Sequence, residues 1–189
     1  MSVDLDAPIW TVSDQFLSIT IDSYAIQSNW YGIDLTSPQL INIAKALAPA
    51  MLRIGGTAQD FLLFSKNNTD LKPSLSPKTD YDTYYSHKLR FGDLENFTMS
   101  TSQWDDINEF ALEAGWEITF GLNVFLHKYW PESGWSTTNA KKLMEYTISK
   151  GYQVNWELGN GNSTCYLLNL PPLVLKARHL IGGSAFCWD

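Results

Sequence analysis

Cysteine is almost missing from this chain. The two present among 189 residues, Cys165 and Cys187, both fall in the last 25, so the body can hold neither a disulfide framework nor a cysteine-built metal site. No metal and no cofactor are expected. Basic residues are also scarce: 13 Lys and Arg stand against 20 Asp and Glu, for a formal net charge of -7. That balance disfavours nucleic acid as a partner and offers no broad attraction to an anionic polymer. No apolar run reaches the ~18 residues of a membrane span, so no transmembrane segment is expected. Residues 1–7 carry Asp4 and Asp6 where an export leader needs a basic start and an apolar run, so no export signal is expected there. No G-x-G-x-x-G or P-loop follows the first predicted strand, which makes a nucleotide-dependent enzyme on a doubly wound sheet the weakest enzyme class. The length of 189 residues also falls short of the ~250 typical of a complete eight-fold (β/α) barrel.

What the chain does have is apolar and aromatic material, at 44% and 14%, including eight Trp. Such a composition supports a globular core, and Trp also supplies flat surfaces for sugars, although most Trp simply pack cores. Residues 16–22 are rich in β-branched side chains and end on Asp22, as a strand does. Residues 38–47 set Leu40, Ile41, Ala44 and Leu47 at helical spacing behind a Ser37 cap and Pro38. Residues 50–54 make a second apolar strand that delivers Gly55-Gly56-Thr57. Periodicity then dissolves over residues 65–100, broken by Pro73 and Pro77; this reads as an excursion from the core, either a lid or a processed or disordered linker. Residues 102–114 place Trp104, Ile107, Ala111 and Ala114 on one helical face before Gly115, and residues 117–122 form a third strand leading to Asn123. The clearest helix spans 136–150, with Ala140, Leu143, Met144, Thr147 and Ile148 on one face and Gly151 as its stop; 153–158 is the fourth strand. The order predicts an α/β fold with a parallel sheet and right-handed crossovers.

In parallel α/β folds ligands gather where strands end, and these four strands deliver Asp22, Thr57, Asn123 and Asn160. All four can hydrogen-bond a substrate, and they are the candidate binding residues. The competing explanation is turn chemistry, since Asp, Asn and Thr begin loops in any protein.

Four separated segments carry a resemblance. They are Phe16-Leu-Ser-Ile-Thr-Ile-Asp22; Leu52-Arg-Ile-Gly-Gly-Thr57 with Asp60-Phe-Leu-Leu-Phe64; Phe120-Gly-Leu-Asn123; and Gly151-Tyr-Gln-Val-Asn-Trp-Glu-Leu-Gly-Asn160. In order and spacing they resemble the heparanase-like endo-β-glucuronidases of glycoside hydrolase family 79, over most of residues 14–160. The resemblance implies a partial (β/α) TIM-type barrel, about four βα units and incomplete. The chain then divides into a lead over 1–13, two strands and a helix over 14–64, the excursion over 65–100, two further strands with helices over 101–161, and a divergent tail over 162–189. It also implies a retaining glycosidase lineage acting on heparan sulfate or a related glucuronide, with Asp22, Thr57 and Asn160 at positions that contact the sugar at the cleavage point. The excursion falls where the family has a linker removed in maturation. A secretory location (lysosome, extracellular or membrane-associated) follows by the same resemblance, and only there would the sequons at Asn67, Asn96 and Asn162 become glycosylation sites.

The family's acid/base Glu directly follows the Gly-Asn of the fourth strand, and here Gly161 stands in its place. A retaining glycosidase needs a protonated carboxyl and an ionised carboxylate ~5 Å apart. Glu157 lies four residues before Gly161, ~13 Å deeper at ~3.3 Å per residue, and Asp22 alone cannot act on opposite sides of a sugar. The family's nucleophile belongs to a later strand than this chain contains. No catalytic residue is therefore assigned, and a truncated, inactive form is expected. The alternative is a non-catalytic carbohydrate-binding or interaction protein using Asp22, Thr57, Asn123, Asn160 and Trp130 or Trp135. Four βα units leave two strand edges open, so self-association is expected. Two local readings concern the tail: Asn160-Gly161 could turn residues 154–158 back on 163–168 as a hairpin; and a GGT codon at Gly161 before an AAY codon at Asn162 contains GTAA, the start of an intron donor inside a lost Glu codon.

Overall fold

The computed structural model describes residues 10–66, 96–123 and 137–159. In chain order the elements are β1 (Ser18–Asp22), α1 (Tyr24–Gln27), α2 (Pro38–Lys45), β2 (Ala50–Gly55), a 3-10 turn (Thr57–Phe61), β3 (Leu62–Ser65), β4 (Phe97–Ser100), α3 (Thr101–Ala114), β5 (Trp116–Leu122), α4 (Thr138–Lys150) and β6 (Val154–Leu158). Strands β1, β2, β5 and β6 form one sheet in that spatial order, every neighbour parallel. Among the described residues the order never reverses, so these strands contain no switch point of the kind that defines a doubly wound fold. This is the α/β architecture of a partial TIM-type barrel.

Alternation along the strands explains the two faces. Ile19, Ile21, Leu52, Ile54, Ile118, Phe120, Val154 and Trp156 share one face by register, and all but Ile19 join Ile41, Ala44, Trp104, Ile107, Ala111, Ala140 and Leu143 of the helices in a single core. The helices therefore cover this face. Trp104 is its centre: fully buried, it meets Phe120 edge-on at 4.8 Å, stacks near Trp156 at 6.0 Å and donates its indole N–H to Thr147 Oγ1 at 3.0 Å. Burying a side chain of that size contributes roughly 3 kcal/mol. The opposite face is polar, with Thr20, Arg53, Thr119 and Asn155 level with one another across the four strands.

Helix ends follow local chemistry. α3 opens on a capping box in which Ser100 Oγ accepts from Gln103 N and Gln103 Oε1 accepts from Ser100 N. It ends at Gly115, and α4 ends at Gly151, both left-handed with φ of 73° and 74°.

The structure adjusts the sequence expectations in three places. The first strand starts at Ser18 rather than residue 16, and Phe16 is 70% exposed. The second helix stops at Lys45, leaving Leu47 exposed, and Ile148 of the α4 stripe also faces solvent. The last residues assigned to the 65–100 excursion are not outside the fold. Phe97–Ser100 pair in parallel with Leu62–Ser65, so a short strand had been hidden by its length and by the unpatterned sequence before it. Asn139 of α4 reinforces that pair: its side-chain amide accepts from Phe64 N and donates to Phe64 O, both at 2.9 Å. Residues 154–158 pair in parallel with β5; the tail half of the hairpin alternative, Asn67, Asn160, Gly161, Asn162, Trp130, Trp135, Cys165 and Cys187 all lie outside the described residues. Among the described residues no helix is long and apolar enough to cross a membrane.

Candidate functional site

Asp22 is the last residue of β1 and is level with Gly55, the last of β2. Its Oδ1 accepts the Tyr24 amide at 2.8 Å, an Asx-type turn that fixes the carboxylate as the chain enters α1. The Ser23 amide donates to the Gly55 carbonyl at 2.7 Å and ties the two strand ends together. Gly56 then adopts φ 100°, and a Cβ there would collide with the Asp22 carboxylate. Glycine at 56 is thus needed twice, for backbone conformation and for space. Thr57, half-buried, follows Gly56 and starts the 3-10 turn. Asp22 and Thr57 therefore stand on either side of Gly56, at the ends of β1 and β2.

Two further glycines make the same kind of room. A Cβ on Gly55 would lie 2.8 Å from the Arg53 guanidinium, and one on Gly121 would strike the Gln59 amide. Arg53 reaches past β5 to Glu157 of β6, with Nε 2.8 Å from Oε2 and Nη2 2.8 Å from Oε2. These side chains are 28% and 11% exposed, so the pair is shielded more than an ordinary surface salt bridge. Glu157 is level with Gly121 and is held by a cation. Its carboxylate is committed three residues before Asn160.

Gln59 is 1% exposed and donates Nε2 to the Leu122 carbonyl at 3.3 Å, while its Oε1 has no hydrogen-bond partner among the described residues. The same Leu122 carbonyl accepts the Gly159 amide at 3.0 Å. Gln59 therefore joins the turn that carries Thr57 to the place where β5 and β6 end. Asn123 is 5% exposed and donates Nδ2 to the Leu62 carbonyl at 2.7 Å. That bond fastens β5 to β3. Asn160 is beyond the described residues.

Arg53, Gln59 and Glu157 were not singled out as site residues from sequence. The available signal was a polar side chain at alternate positions of otherwise apolar strands, together with Gly55, Gly56 and Gly121 at their ends. Among the described residues no group of His, Cys, Asp and Glu is arranged to hold a metal ion. Among the described residues the arrangement offers one half-buried carboxylate at the end of an edge strand, a threonine and backbone groups beside a polar sheet face. Such groups can accept and donate hydrogen bonds to a polar ligand.

The chain is similar to several known proteins. Mouse heparanase is 34% identical over 182 residues, covering 81% of this chain and 33% of the relative. Baicalin-beta-D-glucuronidase of Scutellaria baicalensis is 31% identical over 162 residues, covering 75% and 29%. Human inactive heparanase-2 is 27% identical over 202 residues, covering 85% and 34%. The chain spans about a third of the length of these curated relatives. The family model described as glycosyl hydrolase family 79, N-terminal domain, matches residues 1–168, and the chain belongs to that family.

Proposed function

We propose that this chain carries the sugar-recognition end of a heparanase-type half-barrel and does not itself hydrolyse a glycosidic bond. The observation that supports recognition is the Asp22 carboxylate, oriented by the Tyr24 amide and seated against Gly56 next to Thr57. The ligand class is a glucuronide of the heparan sulfate kind, bound by Asp22, Thr57 and, beyond the described residues, Asn160. Asn123, given its burial and its bond to Leu62, acts by holding β5 in place.

Absence of hydrolysis rests on Gly161, which has no proton to give a leaving oxygen, and on the engagement of Glu157 with Arg53. General acid assistance alone is worth ~10²- to 10⁴-fold. Asp22 can serve one role on one side of the sugar, and a double displacement needs two carboxyl groups. One relative is itself named inactive heparanase-2.

Titration with a heparan sulfate oligosaccharide, read at the Asp22 and Thr57 amides by NMR, tests recognition; Asp22→Ala is expected to abolish the shifts. An unshifted spectrum would instead favour a fragment without ligand. A secretory location belongs to the same reading, with Asn96, immediately before β4, as the sequon whose surroundings are known. Genomic sequence tests the origin of the tail: an acceptor site followed by bases completing a Glu codon is expected, and uninterrupted coding of the present tail would end that idea.

A further inference from the structure

The last row of the polar face sets two glycines between two carboxylates. Asp22 of β1 is level with Gly55 of β2, Gly121 of β5 is level with Glu157 of β6, and the Ile54–Phe120 pair just before them brings the two glycines side by side. Neighbouring side chains use the room that results. The Arg53 guanidinium lies over Gly55 as it reaches Glu157, and the Gln59 amide lies over Gly121. Arg53 belongs to the sheet; Gln59 does not, and enters from the 3-10 turn that Thr57 begins.

Gln59 Nε2 donates to the Leu122 carbonyl at 3.3 Å, and the Gly159 amide donates to the same oxygen at 3.0 Å. That acceptor fixes which way the amide points, because only its NH2 end can donate. The other end, Oε1, is left without a partner among the described residues in a side chain 1% exposed. A buried acceptor left unmet costs ~1–3 kcal/mol. Methionine would fill the same room without that cost, so packing alone does not account for a glutamine here.

We propose that Gln59 is a positioning residue: through the Leu122 carbonyl it sets where the Thr57 turn stands relative to the end of β6, and so fixes the spacing of the groups that receive a glycan. Thr57 lies two residues before Gln59, and Gly159 comes directly before Asn160, so the bridge joins the two stretches of chain that carry these contacts. Gln59 itself, being buried, touches no ligand. Its effect on affinity rests on the glycan-recognition reading above; the bridge itself shows in the free protein.

NMR of the full chain tests both. Gln59→Met keeps the length and loses the donor; in the free protein it is expected to move the Leu122 carbonyl carbon and the Thr57 and Gly159 amide resonances together. In titration with a heparan sulfate oligosaccharide it is expected to weaken binding about fivefold or more, the scale of one lost hydrogen bond. A side chain that only packs would give the parent's affinity in this variant. Because Gln59→Met can fail to fold, Gly121→Ala is the second readout. Its new methyl pushes the Gln59 amide aside, so Thr57, 64 residues earlier, is expected to respond, and to respond far less in a Gln59→Ala background where the methyl enters vacated space. Parent affinity in Gln59→Met, Thr57 and Gly159 amides that respond independently, or equal effects of Gly121→Ala in both backgrounds would overturn the proposal. A parent whose Asp22 and Thr57 amides ignore the glycan would overturn the recognition reading instead, with the bridge still judged by the free-protein spectra.

Discussion

Gly56 has φ 100° and lies where any Cβ would enter the Asp22 carboxylate, so Gly56→Ala meets two obstacles at one position. Backbone strain of this kind costs ~1–3 kcal/mol. The carboxylate must also leave the orientation given by the Tyr24 amide. Gly56→Ala is expected to lower stability by about 2 kcal/mol and to erase glycan-induced shifts at Thr57; urea denaturation and NMR titration measure the two effects separately. A variant as stable as the parent would mean that the turn relaxes without strain. Asn123 illustrates the opposite lesson at this scale. Its type and position at a strand end made it a candidate ligand group, yet its amide is buried on the Leu62 carbonyl. Nothing in the local sequence separates those two uses of an asparagine.

Helices α3 and α4 are locked to each other at Asp105, which accepts Lys150 Nζ at 2.8 Å, Tyr146 Oη at 2.9 Å and Tyr152 Oη at 3.0 Å. Burial pushes the Asp105 carboxyl up, but the hydrogen bonds from Lys150, Tyr146 and Tyr152 together outweigh it and hold the group below the usual carboxylate value. Its stabilising effect is therefore fully present above about pH 3.9 and is lost as pH falls through the lower folded value. Burial and the bond to Asp105 push the Tyr152 phenol the other way, up to about 12, so that contribution is present below about pH 10 and lost on the way to 12. Asp105→Asn is expected to cost about 1 kcal/mol at neutral pH and to flatten the acid limb of a stability–pH profile measured by urea titration. An unchanged acid limb would show that the hub does not couple the helices. The elements themselves were legible because apolar residues recur at two-residue or helical spacing: the faces of Trp104, Ile107, Ala111 and Ala114, and of Ala140 and Leu143, point into the core as their spacing predicts. β4 was not legible, since four residues give too little alternation and its partner lies across the excursion. Gln59 and Arg53 were illegible for a related reason. Their partners Leu122 and Glu157 are 63 and 104 residues away, and only the folded sheet brings them together.

For the molecule as a whole, residues 10–66 are tied to the later residues by the β2–β5 and β3–β4 ladders, by Asn139 on Phe64, by Gln103 on Ile26 and by the Trp116 indole on the Ala44 carbonyl. A single cut engineered between residues 67 and 95 is expected to leave the two pieces associated, co-eluting on gel filtration until denaturant is added; separation in buffer would show that the ladders need the covalent connection. The proposed loss of hydrolysis turns on Gly161. Asp22 accepts the Tyr24 amide, Glu157 is paired with Arg53, and the position after Asn160 has no side chain. Recognition without hydrolysis is tested by incubating the purified chain with an aryl β-glucuronide and with a heparan sulfate oligosaccharide and measuring released product over time. No release above the Asp22→Ala variant is expected. Turnover that Asp22→Ala abolishes would contradict it.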